Sequence, residues 1–204
     1  MDISKPKLLL VEGNDEVIFF NVFCRRLNID DIQVIESGGK DKFKNLLPAI
    51  LNMRGIEKVT SIGVIRDADN SSVSAFDSIK YHFQKNGLIL PNSINEIASE
   101  NGKISTGIFI MPGNRDTGML ENLILDTVID HPVKIMADKY IDELKENLTD
   151  ETPKFPSNEH KARFHAFLAG MEKFIPSLGL AAEKGYFDLD SSYLENLKEF
   201  ILKI

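Results

Sequence analysis

The stretch "VIRDADN", Val64 to Asn70, decides how the chain is read. It begins as a buried strand, apolar and β-branched, and then breaks into Asp67 and Asp69 around a single alanine. Aspartate is a poor strand former, and neighbouring like charges repel. Residues two apart on a strand point the same way, so Asp67 and Asp69 would face one spot if strand geometry persisted through Ala68. A plainer reading is a polar turn in which Asx side chains satisfy the loop backbone.

The segments on either side decide what kind of strand this is. "KLLLVEG" (7–13) predicts a first buried strand, followed by a helix in "NDEVIFFNVFCRRLN" (14–28). Asn14 suits the cap, Asp15 and Glu16 suit the positive end, and Val17, Phe20, Cys24 and Leu27 make an apolar stripe. "IQVIES" (32–37) predicts a second strand, stopped by Gly38-Gly39. "KDKFKNLLPAILNMR" (40–54) predicts a helix with Pro48 as a kink point. "VTSIGVIRDAD" (59–69) is then the third strand, "VSAFDSIKYHFQKNG" (73–87) a helix, "STGIFIMPG" (105–113) a fourth strand and "GMLENLILDTVID" (118–130) a helix. Strands that alternate with helices form a mainly parallel sheet with helices on both faces. Such sheets place their sites beyond the carboxyl ends of the strands. Glu12, Asp67 and Asp69 all fall there.

After Asp130 the pattern turns helical. "KIMADKYIDELKEN" (134–147), "EHKARFHAFLAGMEKFIP" (159–176) and "SSYLENLKEFILKI" (191–204) predict helices, and "LTDETPKFPSN" (148–158) predicts a polar loop. The expected organisation is a domain over 1–130 with a helical extension, 131–204, packed on it; the extension is too small for a core of its own.

Composition narrows the function. The chain has 204 residues, 43% of them hydrophobic and 27% charged, as in a globular protein. The apolar run near the N-terminus is too short for a signal peptide, and no segment is long enough to span a membrane. A single cysteine, Cys24, excludes internal disulfides and a cysteine-based zinc site. The expected location is the cytoplasm, with Cys24 in the core. The formal net charge of -7 supplies no global field for nucleic acid, so a phosphate-bearing partner needs a local basic patch or bridging metal ions. Three converging carboxylates call for a cation, and a hard divalent ion such as Mg²⁺ or Mn²⁺ takes oxygen ligands.

"LLLVEGNDE", "VIESGGKDKF" and "GVIRDADNS", in that order, resemble a Toprim domain, the module of topoisomerases, bacterial primases, ribosomal-RNA maturases, recombination factors and overcoming-lysogenization-type nucleases. The resemblance covers roughly Lys7 to Leu125. It implies a Rossmann-like fold of about four strands. It implies metal ligation by Glu12, Asp67 and Asp69, a role for Glu12 in catalysis, and a glycine turn at Gly38 and Gly39 near the substrate. A topoisomerase would need a further domain with a tyrosine nucleophile, and a primase its cysteine-rich module. The small stand-alone Toprim-like proteins near the maturases and overcoming-lysogenization-type nucleases remain. Those nucleases place another acid after the fourth strand, where Glu121 sits in "MPGNRDTGMLENLI" (111–124), and use a lysine from a late segment.

Lys161 is the candidate for that lysine, since it heads the helical stripe Phe164, Phe167, Leu168, Met171 and Ile175. The competing reading is a snorkelling side chain at the edge of the core. Glu121, Asp15 and Glu16 are equally well explained as acids in first helical turns. Arg66 and Arg115, beside acidic motifs, are the phosphate-binding candidates; Lys40, Lys42 and Lys44 lie nearby, and Arg163 is expected in solvent. The histidines show no zinc spacing, Ser71-Ser72 has no histidine partner, and Gly38-Gly39-Lys40 is not a P-loop. The expected function is a Mg²⁺-dependent phosphodiesterase acting on nucleic acid. The alternatives are a non-catalytic nucleic-acid- or partner-binding module and, last, a D-x-D sugar transferase. Substrate and oligomeric state stay open.

Overall fold

The structure is a computed structural model, described over residues 2–148 and 154–204. Five strands form the sheet: β1 (Lys7–Val11), β2 (Ile32–Glu36), β3 (Ser61–Asp67), β4 (Ile97–Ala98) and β5 (Ser105–Met111). The helices are α1 (Asn14–Arg26), α2 (Gly39–Leu51), α3 (Ser72–Lys85), α4 (Leu120–Asp126), α5 (Pro132–Asn147), α6 (Glu159–Ala169), α7 (Leu178–Glu183) and α8 (Glu195–Lys203). The strand order is β2-β1-β3-β5-β4, parallel except for β4. This is the expected α/β, Rossmann-like architecture, with one short antiparallel edge strand beyond the four that were anticipated.

Strand alternation sorts the core into two layers. Leu9, Val11, Ile65, Phe109 and Met111 face α1, α4, α6, α7 and α8. Leu8, Leu10, Ile62, Val64, Ile108 and Ile110 face α2 and α3. From β1 the chain crosses to β2 on one side; from β3 it proceeds to β5 on the other. The direction reverses between β1 and β3, so their carboxyl ends flank the crevice where ligands of open α/β sheets bind.

The C-terminal helices complete one layer of this core. Phe164, Phe167 and Phe200 share an apolar cluster with Phe19 and Phe109, and Cys24 is buried in it as expected. Gly63 and Gly107 are register partners on β3 and β5, beneath α8. A Cβ on Gly107 would lie 2.9 Å from the Phe200 ring, and one on Gly63 would lie 2.3 Å from the end of Ile204. The paired glycines let the last helix lie directly on the sheet.

Several expected boundaries shift. The 159–176 helix ends at Ala169, capped at Gly170, so Met171 and Ile175 pack from the following segment. A short α7 follows, which the sequence pattern did not reveal. Its start is held by Asp15, whose carboxylate accepts from the Ser177 hydroxyl and from the Leu178 and Gly179 N–H groups at 2.7 and 3.0 Å. Asp15 is thus an anchor between α1 and α7. Pro48 lies inside an uninterrupted α2. The expected loop at 148–158 includes residues 149–153, which lie outside the described residues. Among the described residues no helix is long and apolar enough to cross a membrane.

Gly107→Val should destabilise the protein by about 1–3 kcal/mol, the usual effect of overpacking. Combined with Phe200→Ala, the loss should be less than additive because the two changes relieve one clash. Urea denaturation of the four proteins checks this; strict additivity would place Phe200 away from Gly107.

Candidate acidic site at the sheet switch point

Glu12 follows β1 directly, and its backbone C=O accepts from the Gly38 N–H at 2.8 Å. Gly38 and Gly39 both have positive φ, 72° and 75°, which suits glycine and tightens the turn. A Cβ on Gly39 would sit 3.5 Å from Glu12 Oε1, so the glycine turn lies against that carboxylate. Asp67 closes β3. Its Oδ1 accepts from the Leu120 N–H at 3.0 Å, at the start of α4. The next residue of α4 is Glu121, and Glu16 lies in the first turn of α1.

These four carboxyls form one electrostatic unit. Burial holds Asp67 well above the ordinary aspartate range; Glu121 and Glu12 push it further, and the Leu120 N–H opposes them. Burial also raises Glu16, against the pull of a backbone N–H, with Glu121, Glu12 and Asp15 adding to the rise. The sequence pattern gave Glu16 only as a helix-end acid. Glu12 lies before α1, so no helical spacing linked the two in the sequence.

Asp69 departs from the expected convergence. β3 stops at Asp67, and Asp69 has φ 49°, a left-handed conformation that aspartate tolerates better than most residues. Its N–H and C=O both pair with Gly118 at 2.9 Å. Asp67 therefore opens on a space bordered by Glu12, Glu16 and Leu120, whereas Asp69 opens on a groove bordered by Ser71, Ser74 and Met119. The side-by-side D-x-D geometry requires an extended Ala68–Asp69 step, and that step is absent.

Lys161, on the first turn of α6, brings its Nζ to 3.9 Å from Glu121 Oε1. Its side chain is 54% exposed and Glu121's 16%, so the lysine reaches inward from solvent to the acid. It borders a small cavity with Glu16, Glu121 and His165.

The other cations are placed differently from expectation. Arg66 does not line an open edge. It is buried at 3% exposure, its guanidinium 4.9 Å from the Phe43 ring centroid and near Ser78 Oγ. Desolvation lowers its pKa, while Glu12 and Asp69 act to hold its charge. Position 66 shares the α2/α3 face with Ile62 and Val64, which is why it is covered. Arg115 is engaged by Asp126. Lys42 and Lys44 are exposed, and the side chain of Lys40 lies outside the described residues. Arg163 is not a solvated residue: Asp138, Asp142 and Glu159 surround it and tie α6 to α5.

Oxygen donors of this type suit a hard divalent cation, which would relieve the repulsion that raises Asp67 and Glu16. The chemistry of the set fits Mg²⁺ or Mn²⁺. Among the described residues, no three acidic, histidine or cysteine side chains converge closely enough to hold an ion as they stand.

Clustered acids have a consequence for stability. A carboxyl whose folded pKa is raised binds its proton more tightly when folded. Its contribution is present below the unfolded value and is lost as pH rises through the folded one. In chelator, stability should therefore fall as pH climbs above the ordinary aspartate value of 3.8 through the raised value of Asp67. Asp67→Asn should flatten this decline and raise Tm at neutral pH by roughly 2–4 °C, about 1 kcal/mol for a chain of this size. Thermal melts from acid to neutral pH check it; a lower Tm for Asp67→Asn would mean the carboxylate is net stabilising.

Among solved structures, the C-terminal region of the OLD protein of Burkholderia pseudomallei is similar over 98% of this chain and 98% of its own, at 14% identity and a TM-score of 0.49. The corresponding region of the Xanthomonas campestris pv. campestris OLD protein is similar over 97% and 94%, at 15% identity and a TM-score of 0.47. No curated protein matches the sequence. A family model described as "Protein of unknown function (DUF3226)" matches residues 6–204, and the chain belongs to that family.

Proposed function

We propose that the protein is a Mg²⁺- or Mn²⁺-dependent phosphodiesterase acting on nucleic acid, with its centre at Glu12, Asp67 and Glu121. The observation that carries this reading is the buried Asp67 carboxyl, set at the sheet switch point among Glu12, Glu16 and Glu121 and reached by Lys161 through Glu121. A fold has little reason to collect like charges there unless a cation joins them. The ordered resemblance of the β1, β2 and β3 ends to a Toprim domain supports the same reading.

Glu12, Asp67 and Glu121 would hold the ion, with Glu16 beside them. Asp69, from its left-handed position, would act toward the substrate side or join only after the 68–69 step extends. When bound, the ion supplies Lewis-acid stabilisation and an activated water. The chain's own residues do the rest. Glu12 lies against the open face of the Gly38–Gly39 turn, where a carboxylate can take a proton from an incoming water. Lys161, half in solvent, is free to leave Glu121 and meet charge developing on the phosphate. Arg66, buried and within the electrostatic reach of Glu12 and Asp69, would set the local potential without touching substrate.

A second reading has one observation in its favour. The acids stand apart, which also suits a module that binds nucleic acid or a partner without cutting it.

Calorimetry with Mn²⁺ should show binding to the wild type and at least a tenfold loss in Asp67→Ala; equal affinities would remove the metal centre. Plasmid, single-stranded DNA, structured RNA and a chromogenic diester should then be offered with Mn²⁺ or chelator. At least one should be cut only with metal. Glu12→Gln should be inactive, and Lys161→Ala should be slower by roughly 10²–10³ with metal affinity kept, because it acts on transition-state charge. Binding without cutting of any substrate would favour the non-catalytic module.

A further inference from the structure

Each of the helices that carry Glu121 and Lys161 is secured at its start by an asparagine amide that also reaches the other helix. Asn122, in the first turn of α4, turns Oδ1 back to accept from the Met119 N–H at 3.0 Å, the reciprocal half of a capping box. Its Nδ2 crosses to α6 and meets His160 Nδ1 at 2.8 Å. Asn158, the N-cap of α6, accepts on Oδ1 from the Lys161 N–H at 3.0 Å. Its Nδ2 crosses to α4 and donates to Met119 Sδ at 3.9 Å. The ion pair of Lys161 with Glu121, at 3.9 Å, lies beside these two links. The two helix starts are thus clasped together.

The polarity of the clasp is fixed. An Asn122 amide turned over would set Nδ2 against the Met119 N–H, two donors face to face, so Oδ1 belongs on Met119 and Nδ2 on His160. His160 Nδ1 must then accept, and the neutral ring carries its proton on Nε2. Gly118 makes room for the amide. A Cβ there would lie 2.9 Å from Asn122 Oδ1, and the φ of 120° suits glycine.

The clasp joins groups that belong to the acidic centre. Asn122 directly follows Glu121 and lies two residues after Leu120, whose N–H holds Asp67. His160 directly precedes Lys161. The Lys161 side chain is 54% exposed, and an ion pair so open to solvent does little to fix a long, flexible side chain. What is fixed is the backbone it grows from, by the Asn158 cap on one side and by the His160 bond to α4 on the other.

We propose that His160 and Asn122 are positioning residues for Lys161. Their hydrogen bond seats the first turn of α6 against α4, so that the Lys161 ammonium meets Glu121 at rest and the phosphate during the reaction. The proposal rests on the phosphodiesterase reading for its effect on rate; the placement of Lys161 is tested without cleavage.

The experiment follows the His160 ring nitrogens and the Lys161 side-chain signals by NMR in the isotope-labelled full chain without metal, with Glu121→Gln as the reference for Lys161 lacking its acid. In the wild type, His160 should show an unprotonated, acceptor-type Nδ1. His160→Ala and Asn122→Ala should each move the Lys161 signals toward those of Glu121→Gln. His160→Asn, whose Oδ1 can replace Nδ1 as the acceptor, should restore them. On a substrate that the wild type cuts, His160→Ala should lower kcat roughly ten- to a hundredfold, the cost of misplacing a reacting group by about 1 Å. KM and Mn²⁺ affinity should be kept, and His160→Asn should recover the rate. In a Lys161→Ala background the change at His160 should add nothing, because it acts through the lysine. A protonated Nδ1 in the wild type, unmoved Lys161 signals in both alanine variants, or an equal loss of rate with and without Lys161 overturns the proposal. Moved Lys161 signals in a protein that cuts no substrate uphold the positioning and remove the phosphodiesterase reading. Metal-dependent cutting that His160→Ala leaves at the wild-type rate removes only the positioning.

Discussion

The structure is organised around one buried carboxyl, Asp67, within the electrostatic reach of other acids. Asp67 ends a strand that is apolar on both faces, and it ends it against Glu12, Glu16 and Glu121. Placing a carboxylate there without a counter-charge is unfavourable twice, once for desolvation and once for repulsion. The fold offsets part of this with one backbone donor, the Leu120 N–H. The rest is met by protonation or by a cation. The same residues that make the crevice costly when empty of charge partners are the ones that, on the function proposed above, would take a divalent ion.

The position of this contact follows from topology. Parallel strands with helices on both faces put all strand ends on one edge, and the reversal of direction between β1 and β3 leaves those two ends uncovered by a crossover helix. The C-terminal helices then close one flank. α6 brings Lys161 to the crevice because its inner stripe, Phe164, Phe167 and Leu168, is seated in the core, and Arg163 ties it to α5. Asp15 secures the neighbouring α7, and the paired glycines of β3 and β5 admit α8.

Much of this was legible in the sequence, and the departures have physical causes. Apolar runs ended by Glu12, by Gly38-Gly39 and by Asp67 gave the parallel order, because buried parallel strands read as continuous hydrophobic segments. β4 was missed since two residues, Ile97 and Ala98, make no pattern, and α7 since six residues complete too few turns. Asp67, Glu12, Glu121 and Lys161 do come to one region. Asp69 does not share their space because its left-handed backbone depends on pairing with Gly118, a residue far along the chain. Arg66 looked like an edge cation, yet its parity with Ile62 and Val64 already put it on a covered face. Arg163 needed the acids of α5, which periodicity within α6 cannot supply.

The central claim is that the acids at the ends of β1 and β3 are held for a cation. Crystals soaked in Mn²⁺ and measured at its absorption edge test this most directly. The account predicts an anomalous peak bounded by Glu12, Asp67 and Glu121 carboxylate oxygens at about 2.0–2.6 Å, the range for hard divalent ions, with Asp67 turned from the Leu120 N–H toward the ion. A crevice without a peak, with Asp67 still bonded to Leu120 and Lys161 filling the space between the acids, would contradict it.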